Sequence, residues 1–502
     1  MKFLGLRLCD HDSNITYTNG TKVKYYNSER DYQIKHHGFG DLNQWFHVIK
    51  KWKINPEEID AIAITIDAFT NKKIEFDEKI LYGEIEIPIF RVLGFNCPIF
   101  RVDHHYAHYL SSWMFGEFDV GIVSDSFGDD YIGHSVFRGD KALFRQNVNK
   151  NHTLSNILGW LGLDLGMDGN ELDFAGKLMA LKGYGARVET DEYYEMLDIR
   201  NAWQFKYNFC AKFNHLYNNP VEFQEFCNNF ARAHVLSENT YVQHFLEYTD
   251  ETDRICYSGG VAQNTVINSR IKEARPNLQI PPHCNDAGLS LGLVEFLRRY
   301  YDQENFDSSG FPFWQSDEVP KSTPTKLTIR NTAEMLARGK IVGWYQGRGE
   351  IGPRALGNRS ILMSPMVEDG KDILNSKVKN REFFRPFGAS VLEEKSQDYF
   401  DFSHKSPYML YVMDVLDKES YPSITHADGT CRVQTVSKDH EYYYDLIEEF
   451  EKLTGVPMLL NTSLNVGGKP ICGYQTNALD ILTRTDMDAL VIGNQSLTLA
   501  SQ

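Results

Sequence analysis

One segment of the chain favours neither helix nor strand, and it divides the sequence into two unequal parts. Residues 307–324, DSSGFPFWQSDEVPKSTP, are rich in Ser, Pro and Asp and lack a regular apolar spacing. The chain has 502 residues, which is more than a single hydrophobic core usually holds. We therefore expect two domains, at residues 1–310 and 325–502.

Strands and helices are predicted to alternate on both sides of this segment. Apolar runs predict strands at residues 3–8, 61–66, 120–124, 254–258 and 341–344. Helical spacing of apolar residues predicts helices at residues 102–115, 240–248 and 329–336. This alternation is typical of an α/β architecture.

The overall charge limits the partners that the chain can attract. The formal net charge is −16, so long-range attraction of polyanions is excluded and any phosphate contact must depend on local Lys/Arg clusters. The eight cysteines form no CxxC pair, and the N-terminus becomes polar too early for a signal peptide. Because no apolar run reaches the roughly 20 residues of a membrane helix, we expect a soluble, cytoplasmic protein.

Two histidines one helical turn apart form the first candidate site. In HHYAH, a helix would place His104 and His108 on one face, where they can share an ion. Asp125 follows a predicted strand, and Asp286 lies in the turn sequence PPHCNDAGLSLG. Two His and two Asp suit Fe(II), Mn(II) or Zn(II) better than Ca(II). The same residues also suit an exposed helix and ordinary turns or helix caps.

Two glycine-containing loops are candidates for binding phosphate through backbone N–H groups. They are residues 125–129, DSFGD, and residues 258–261, SGGV, and each follows a predicted strand. Lys177, in FAGKLMALKGYG, could add positive charge beside a nucleotide. Gly-Gly is also common in simple turns, and Lys177 also suits a solvated helix.

The densest positive cluster lies in the second predicted domain. Residues 346–360, QGRGEIGPRALGNRS, and residues 375–390, NSKVKNREFFRPFGAS, intersperse Arg and Lys with Gly, Pro and aromatic residues. Arginine binds phosphate or carboxylate through paired hydrogen bonds, so we expect a small, highly charged ligand such as ATP together with an acyl phosphate. A solvated basic patch is the alternative. Residues 459–465 end in Asn and Ser side chains that suit either a carbamoyl amide or a capped turn.

Taken in order, these motifs resemble those of the O-carbamoyltransferases that modify antibiotics and nodulation factors. The resemblance covers nearly the whole chain, through HDS, DHHYAHYLSS, GKLMALKGYG, SGGVAQN and NDAGLSLG, then GEIGPRALGNRSIL, VKNREFFRPFGASV, DGTCRVQT and LLNTSLNVGGKPI. It implies an actin-like (ASKHA) first domain and a YrdC-like second domain. It also implies that the second domain makes carbamoyl-adenylate from Mg-ATP and carbamoyl phosphate, and that the first passes the carbamoyl group to a hydroxyl.

The resemblance also assigns roles to individual residues. His11 would be the general base, since an imidazole titrates near neutrality. The metal, Fe(II) with Mn or Zn as alternatives, would be held by His104, His108, Asp125 and Asp286. Nucleotide contacts of the first domain would come from Ser126, Gly128, Lys177, Gly259, Gly260 and Asn264. Carbamoyl phosphate and ATP would be bound by Arg348, Arg354, Arg359, Lys379, Arg381, Arg385, Arg432, Asn461, Ser463 and Asn465.

Two other functions and two acceptor classes stay open at this stage. The functions are a tRNA threonylcarbamoyl-type transferase and a nucleotide-responsive ASKHA binding protein or ATPase. The acceptor is either a natural-product sugar or a hydroxymethylated pyrimidine, such as 5-hydroxymethylcytosine in DNA or in a nucleotide. Acceptor specificity is expected in residues 186–240, which match no motif.

Overall fold

The computed structural model of the chain describes residues 1–8, 11–39, 44–66, 81–148, 153–194 and 219–499. They form a mixed α/β protein with three sheets, as expected. Part of the segment expected to select the acceptor, residues 195–218, lies outside the described residues.

The first two sheets repeat one topology. Each contains a three-stranded antiparallel meander whose first strand is extended by parallel strands on its other side. The first sheet has the order β3-β2-β1-β4-β6-β5. Its strands are β1 (Lys2–Leu8), β2 (Asn14–Asn19), β3 (Lys22–Asn27), β4 (Ala61–Ile66), β5 (Tyr82–Glu84) and β6 (Ile99–Val102). The second sheet has the order β11-β10-β7-β8-β9. Its strands are β7 (Val120–Ser124), β8 (Ile132–Arg138), β9 (Lys141–Asn147), β10 (Ile255–Ser258) and β11 (Leu278–Gln279). This duplicated arrangement is compatible with the actin-like first domain that the sequence resemblance implies.

The third sheet has nine strands in the order β15-β16-β17-β14-β18-β13-β12-β19-β20. Its strands are β12 (Val342–Tyr345), β13 (Arg359–Met363), β14 (Gly388–Leu392), β15 (Phe400–Asp401), β16 (Val412–Val415), β17 (Thr430–Val436), β18 (Met458–Ser463), β19 (Ala489–Ile492) and β20 (Gln495–Leu497). All of them follow residues 307–324. The YrdC-like assignment and the domain limits stay predictions.

Thirteen α-helices among the described residues pack on these sheets. They are α1 (Ser28–Tyr32), α2 (Phe46–Lys51), α3 (Pro88–Val92), α4 (His104–Leu110), α5 (Leu154–Asp164), α6 (Phe174–Met179), α7 (Pro220–Tyr248), α8 (Thr265–Ala274), α9 (Leu289–Tyr300), α10 (Lys326–Ala337), α11 (Gly370–Leu374), α12 (Glu441–Thr454) and α13 (Gln475–Arg484). Within the described parts of the chain, no helix is long and apolar enough to span a bilayer.

The predicted helix at residues 102–115 is shorter in the structure. Residue 102 still belongs to β6, and the Asp103 side chain caps α4 by accepting a hydrogen bond from the N–H of Tyr106. After Leu110, the Ser111 hydroxyl donates to the carbonyl of His108. Such side-chain bonds to the last turn compete with helix continuation, so α4 ends there.

Helix α4 is positioned by two close backbone approaches. An added Cβ at Gly121 of β7 would lie 2.0 Å from a ring carbon of Tyr109, and one at Gly292 of α9 would lie 1.8 Å from the carbonyl oxygen of Ala107. Only glycine allows such contacts. Helix α4 is therefore held tightly between the second sheet and α9, next to the strand ends that bear the site residues.

Candidate active site

Four buried side chains meet where α4 faces the loop that follows β7 and the turn that precedes α9. His108 Nε2 lies 3.1 Å from Asp125 Oδ2 and 3.3 Å from Asp286 Oδ1. His104 Nε2 lies 3.6 Å and 3.5 Å from the same two carboxylate oxygens. Asp125 directly follows β7, and Asp286 begins a short 3-10 helix before α9. The structure thus brings together the four residues predicted as metal ligands.

The chemistry of this group fits a divalent transition metal. One ligand atom from each residue lies within 4.8 Å of the others, giving two imidazole nitrogens and two carboxylate oxygens. Both ring nitrogens of His104 are buried and have no hydrogen-bond partner among the described residues. Buried polar atoms normally have a partner, and a shared ion would provide one for Nε2.

Arg7 is a member of this site that the sequence did not predict. Its Nη2 donates to Asp286 Oδ2 over 2.9 Å from the interior of β1. Burial opposes ionisation of Asp286, but the charges of His104 and Arg7 outweigh burial and hold the pKa of this carboxyl well below its ordinary value. Asp286 is therefore an anion, as a metal ligand must be.

His11 lies beside the four-residue cluster. Its Nδ1 is 3.2 Å from Asp12 Oδ2 and 3.8 Å from Asp286 Oδ2. A carboxylate on Nδ1 fixes the proton there, so the lone pair of a neutral His11 is on Nε2. Asp12, which the sequence analysis did not single out, therefore orients the residue predicted as general base.

The two glycine loops lie against the metal-type cluster, which is the group formed by His104, His108, Asp125 and Asp286. Gly259 has a φ of 92°, and an added Cβ there would lie 2.1 Å from the carbonyl oxygen of Ser124. An added Cβ at Gly260 would lie 2.8 Å from Asp125 Oδ1. The predicted nucleotide contacts that line the neighbouring cavity are Ser126, Gly128, Gly260 and Asn264, whereas Gly259 is not among the lining residues.

The ammonium of Lys177 is bound by other groups of the chain. Its side chain is buried and does not line the cavity. Lys177 Nζ donates to the carbonyl of Asp168 over 2.5 Å and lies 3.0 Å from Glu382 Oε1. These carbonyl and carboxylate partners hold the ammonium away from the cavity lining, and the nucleotide contact of Lys177 stays a prediction.

Most predicted anion-binding residues of the second domain line one wall of the cavity. These are Arg354, Lys379, Arg381, Arg385, Arg432, Asn461, Ser463 and Asn465. Lys379 Nζ donates to Ser463 Oγ over 3.2 Å and to the Asn465 carbonyl over 3.0 Å. Arg381 is held by Asn375 Oδ1 at 2.7 Å and packs over the ring of Phe387.

Two predicted arginines do not reach the cavity. Arg359 is fully buried within β13, where Nη2 donates to Asp317 Oδ2 over 2.8 Å and the guanidinium lies over the ring of Tyr345. Arg348 is exposed and is not among the lining residues. Arg359 therefore forms a structural ion pair and Arg348 lies at the surface, and the ligand contacts expected of these two residues stay predictions.

Three half-buried arginines of this wall lie near one another without compensating carboxylates. No carboxylate of the described residues lies within ion-pair distance of Arg354, Arg381 or Arg432. Burial, reinforced by the neighbouring Arg385, lowers the pKa of Arg354 to about 10, and burial beside other cations lowers the pKa of Arg381 and Arg432. Buried charges are costly unless they are paired, so this wall is built to receive an anion.

One continuous cavity joins the cation cluster to the metal-type cluster. It has a volume of about 1020 Å³ and is lined by His11, Asp125 and Asp286 as well as by the second-domain arginines. The two candidate sites therefore share one cavity, which is lined by residues from both halves of the chain.

Comparison with known proteins gives the same two halves. The family models for the carbamoyltransferase N-terminus and C-terminus match residues 91–294 and 333–498. Nodulation protein NolNO of Sinorhizobium fredii is 28% identical over 538 residues, covering 96% of this chain and 78% of that protein. Nodulation protein NolO of Bradyrhizobium diazoefficiens is 36% identical over 268 residues, covering 48% of each chain. Component A of (R)-2-hydroxyglutaryl-CoA dehydratase from Acidaminococcus fermentans, a solved structure, covers 60% of this chain and 100% of its own at 10% identity, with a TM-score of 0.38.

The two matched halves, together with the shared cavity between them, define a transferase. The chain belongs to the carbamoyltransferase family, as its sequence motifs indicated.

Proposed function

We propose that this enzyme activates a carbamoyl group as carbamoyl-adenylate in its second domain and transfers it to an acceptor hydroxyl in its first domain. The overall activation is carbamoyl phosphate plus ATP plus water giving carbamoyl-AMP, phosphate and pyrophosphate. Transfer then forms a bond between the acceptor oxygen and the carbamoyl carbon and releases AMP. A mixed anhydride with AMP supplies the good leaving group that a carbamate lacks.

The observation that carries this proposal is the continuous cavity that connects the arginine-lined wall with His11. Arg354, Arg381 and Arg432 can neutralise the phosphates of ATP and of carbamoyl phosphate, because none of them has a carboxylate partner within the described parts of the chain. Water would hydrolyse carbamoyl-AMP, so passage within one cavity limits its contact with bulk water. Two separate surface sites would give no such protection.

In the first domain, Asp125 and Asp286 with His104 and His108 would hold the metal. A divalent ion bound there supplies Lewis acidity toward the carbamoyl carbonyl or the AMP phosphate. His11 accepts the proton of the acceptor hydroxyl at Nε2 as the new bond forms, while Asp12 keeps Nδ1 protonated and the ring oriented.

The first-domain end of the cavity supports an acceptor that is neutral or cationic and has an apolar face. Phe127 is 54% exposed and Trp160 is 48% exposed, although both line the cavity. Asp130 and Glu171 add carboxylates to this end, where Lys35 is paired with Asp173 and Arg101 is paired with Asp129. A natural-product sugar suits these surroundings better than polyanionic DNA.

The proposal is tested by the stoichiometry of the products. Purified protein reconstituted with Fe(II), ATP and carbamoyl phosphate is followed by ³¹P NMR, and we expect one pyrophosphate and one phosphate per AMP. Arg432→Ala should abolish pyrophosphate release, whereas Lys377→Ala, an exposed cation near Lys379, should not. Pyrophosphate formed from threonine and bicarbonate instead of carbamoyl phosphate would establish the threonylcarbamoyl alternative.

A further inference from the structure

A line of alternating acids and bases continues from His11 away from the metal-type cluster. Asp12 accepts from His11 on one side, and on the other its Oδ1 and Oδ2 lie 3.1 Å and 3.0 Å from His36 Nδ1. His36 Nε2 lies 3.3 Å from Asp173 Oδ1, and Asp173 is also paired with Lys35. His36 therefore uses both ring nitrogens on carboxylates.

The backbone fixes the two central residues of this line in an unusual conformation. Asp12 has a φ of 50° and His36 a φ of 54°, a region that residues other than glycine rarely adopt. Backbone hydrogen bonds from Ser13 to the His37 carbonyl, at 3.0 Å, and from Asp12 to the His36 carbonyl, at 3.4 Å, tie the two loops together. Such conformations persist where surrounding contacts over-determine them, and they cluster at functional sites.

The charged groups around His36 also favour a protonated ring that donates a hydrogen bond to Asp12. Asp12 and Asp173 face its ring, its backbone N–H donates to Glu29 Oε2 over 3.3 Å, and Lys35 is the neighbouring cation. Burial opposes protonation of His36, but these carboxylates outweigh it and raise its pKa to about 10. His36 thus donates to Asp12 at neutral pH, and it leaves the Asp12 carboxylate in place to accept from His11.

We infer that His36 is a positioning residue for carbamoyl transfer. Through Asp12, His36 orients His11. This inference rests on the proposed function for its reaction. The acceptor oxygen attacks the carbamoyl carbon, the bond from that carbon to the AMP oxygen breaks, AMP leaves with the electron pair, and the hydroxyl proton passes to His11 Nε2. His36 does not touch the reacting atoms. It holds the Asp12 carboxylate in place, and that carboxylate orients the His11 ring.

Two substitutions test the two nitrogens of the His36 ring separately. His36→Asn keeps a donor near the Nδ1 position, facing Asp12, and loses the contact with Asp173. His36→Gln keeps a donor near the Nε2 position, facing Asp173, and loses the contact with Asp12. A residue that only ties its loop to Asp173 would be replaced better by Gln, whereas a residue that positions Asp12 would be replaced better by Asn.

The test uses the full-length protein loaded with metal and methyl α-D-glucoside as a neutral hydroxyl probe. The readout is O-carbamoyl product per pyrophosphate released. We expect His36→Gln to lower this ratio about 10–100-fold, the usual effect of losing a partner that orients a site residue, and His36→Asn to stay within about threefold of wild type. Pyrophosphate release and the thermal midpoint should be alike in both variants. Equal ratios for Asn and Gln, or the reverse order, would overturn the inference.

A second measurement does not depend on an acceptor. In the zinc-loaded protein, the ¹⁵N imidazole signals of His11, assigned by their loss in His11→Gln, should show the Nδ1-protonated form in wild type and in His36→Asn, and a mixture of tautomers in His36→Gln. An unchanged tautomer in His36→Gln would contradict the role of His36. Failure of the wild type to release pyrophosphate would instead refute the proposed activation step, and the tautomer result would still decide the inference.

Discussion

Lys177 Nζ, in helix α6, lies 3.0 Å from Glu382 Oε1. Glu382 lies in the sequence between Arg381 and Arg385, two arginines that line the cavity. A second pair, Lys182 with Asp428 at 3.2 Å, joins the same motif to the loop before Arg432. The GKLMALKGYG motif therefore connects the first half of the chain to the arginine-lined wall of the cavity.

The Lys177–Glu382 pair should keep the two half-reactions coupled. We expect Lys177→Met to preserve pyrophosphate release but to increase AMP formed without carbamoylated product, because a loosened contact admits water to the passage. A double-mutant cycle with Glu382→Gln should give a coupling energy of about 0.5–3 kcal/mol in thermal or denaturant unfolding. Additive effects of the two substitutions would show that the pair does not hold the halves together.

Replacing a cavity arginine should stabilise the protein while it destroys activity. Arg432→Met removes one of several half-buried cations that repel each other, and we expect it to raise the free energy of unfolding by about 1 kcal/mol in the absence of anions. Inorganic phosphate should raise the thermal midpoint of the wild type more than that of the variant. Differential scanning calorimetry measures both effects, and a lower midpoint for Arg432→Met without phosphate would contradict the electrostatic account.

The metal-type cluster should be required for transfer and not for activation. We expect His108→Ala to lose bound metal, as measured by inductively coupled plasma mass spectrometry, and to lose carbamoyl transfer about 100-fold or more. Chelator treatment of the wild type should have the same effect, reversed by Fe(II), Mn(II) or Zn(II). Full pyrophosphate release in the metal-free protein would show that activation does not require the metal. Its loss would show that the metal also serves activation.

The ion pairs of His36 should give stability a specific pH dependence. Because the pKa of His36 is raised from its ordinary value of 6.5 to about 10 in the folded state, its contribution is fully present below pH 6.5 and is lost as the pH rises toward 10. Each pH unit within this window removes at most about 1.4 kcal/mol. Urea unfolding from pH 6 to pH 10 should therefore show a steeper decline for wild type than for His36→Asn, and parallel curves would contradict the assignment.

The exposed aromatic side chains at the cavity mouth should select the acceptor. Trp160→Ala should raise the KM for acceptors with an apolar face about tenfold, the loss of roughly 1.4 kcal/mol of stacking and burial. The rate of pyrophosphate release should not change. Leu327→Ala, which alters an exposed apolar side chain in α10, is the matched control. An equal effect of both variants would place acceptor binding elsewhere.

Local patterns in the sequence were sufficient for some elements and not for others. The apolar runs at residues 61–66 and 120–124 coincide with β4 and β7, because a buried strand has a continuous apolar signature. The spacing of His104 and His108 likewise indicated a shared face, since the period of a helix is fixed. Arg7 and His36 gave no local signal, because their partners Asp286 and Asp12 lie 279 and 24 residues away.

The arginines of the second domain show the same limit. Arg354 and Arg359 lie in one motif and have the same chemistry, yet Arg354 faces the cavity while Arg359 is paired with Asp317. Which arginine meets a carboxylate is decided by how the segment at residues 307–324 returns to β13. Spacing along the chain does not contain that information.

Oxygen transfer tests the central claim most directly. The enzyme is incubated with ATP and carbamoyl phosphate labelled with ¹⁸O in its carbonyl group, and the released AMP is analysed by mass spectrometry. If a carbamate oxygen attacks the α-phosphorus of ATP and the carbon–oxygen bond later breaks, AMP must acquire ¹⁸O. Unlabelled AMP, or ADP as the nucleotide product, would contradict activation through carbamoyl-adenylate.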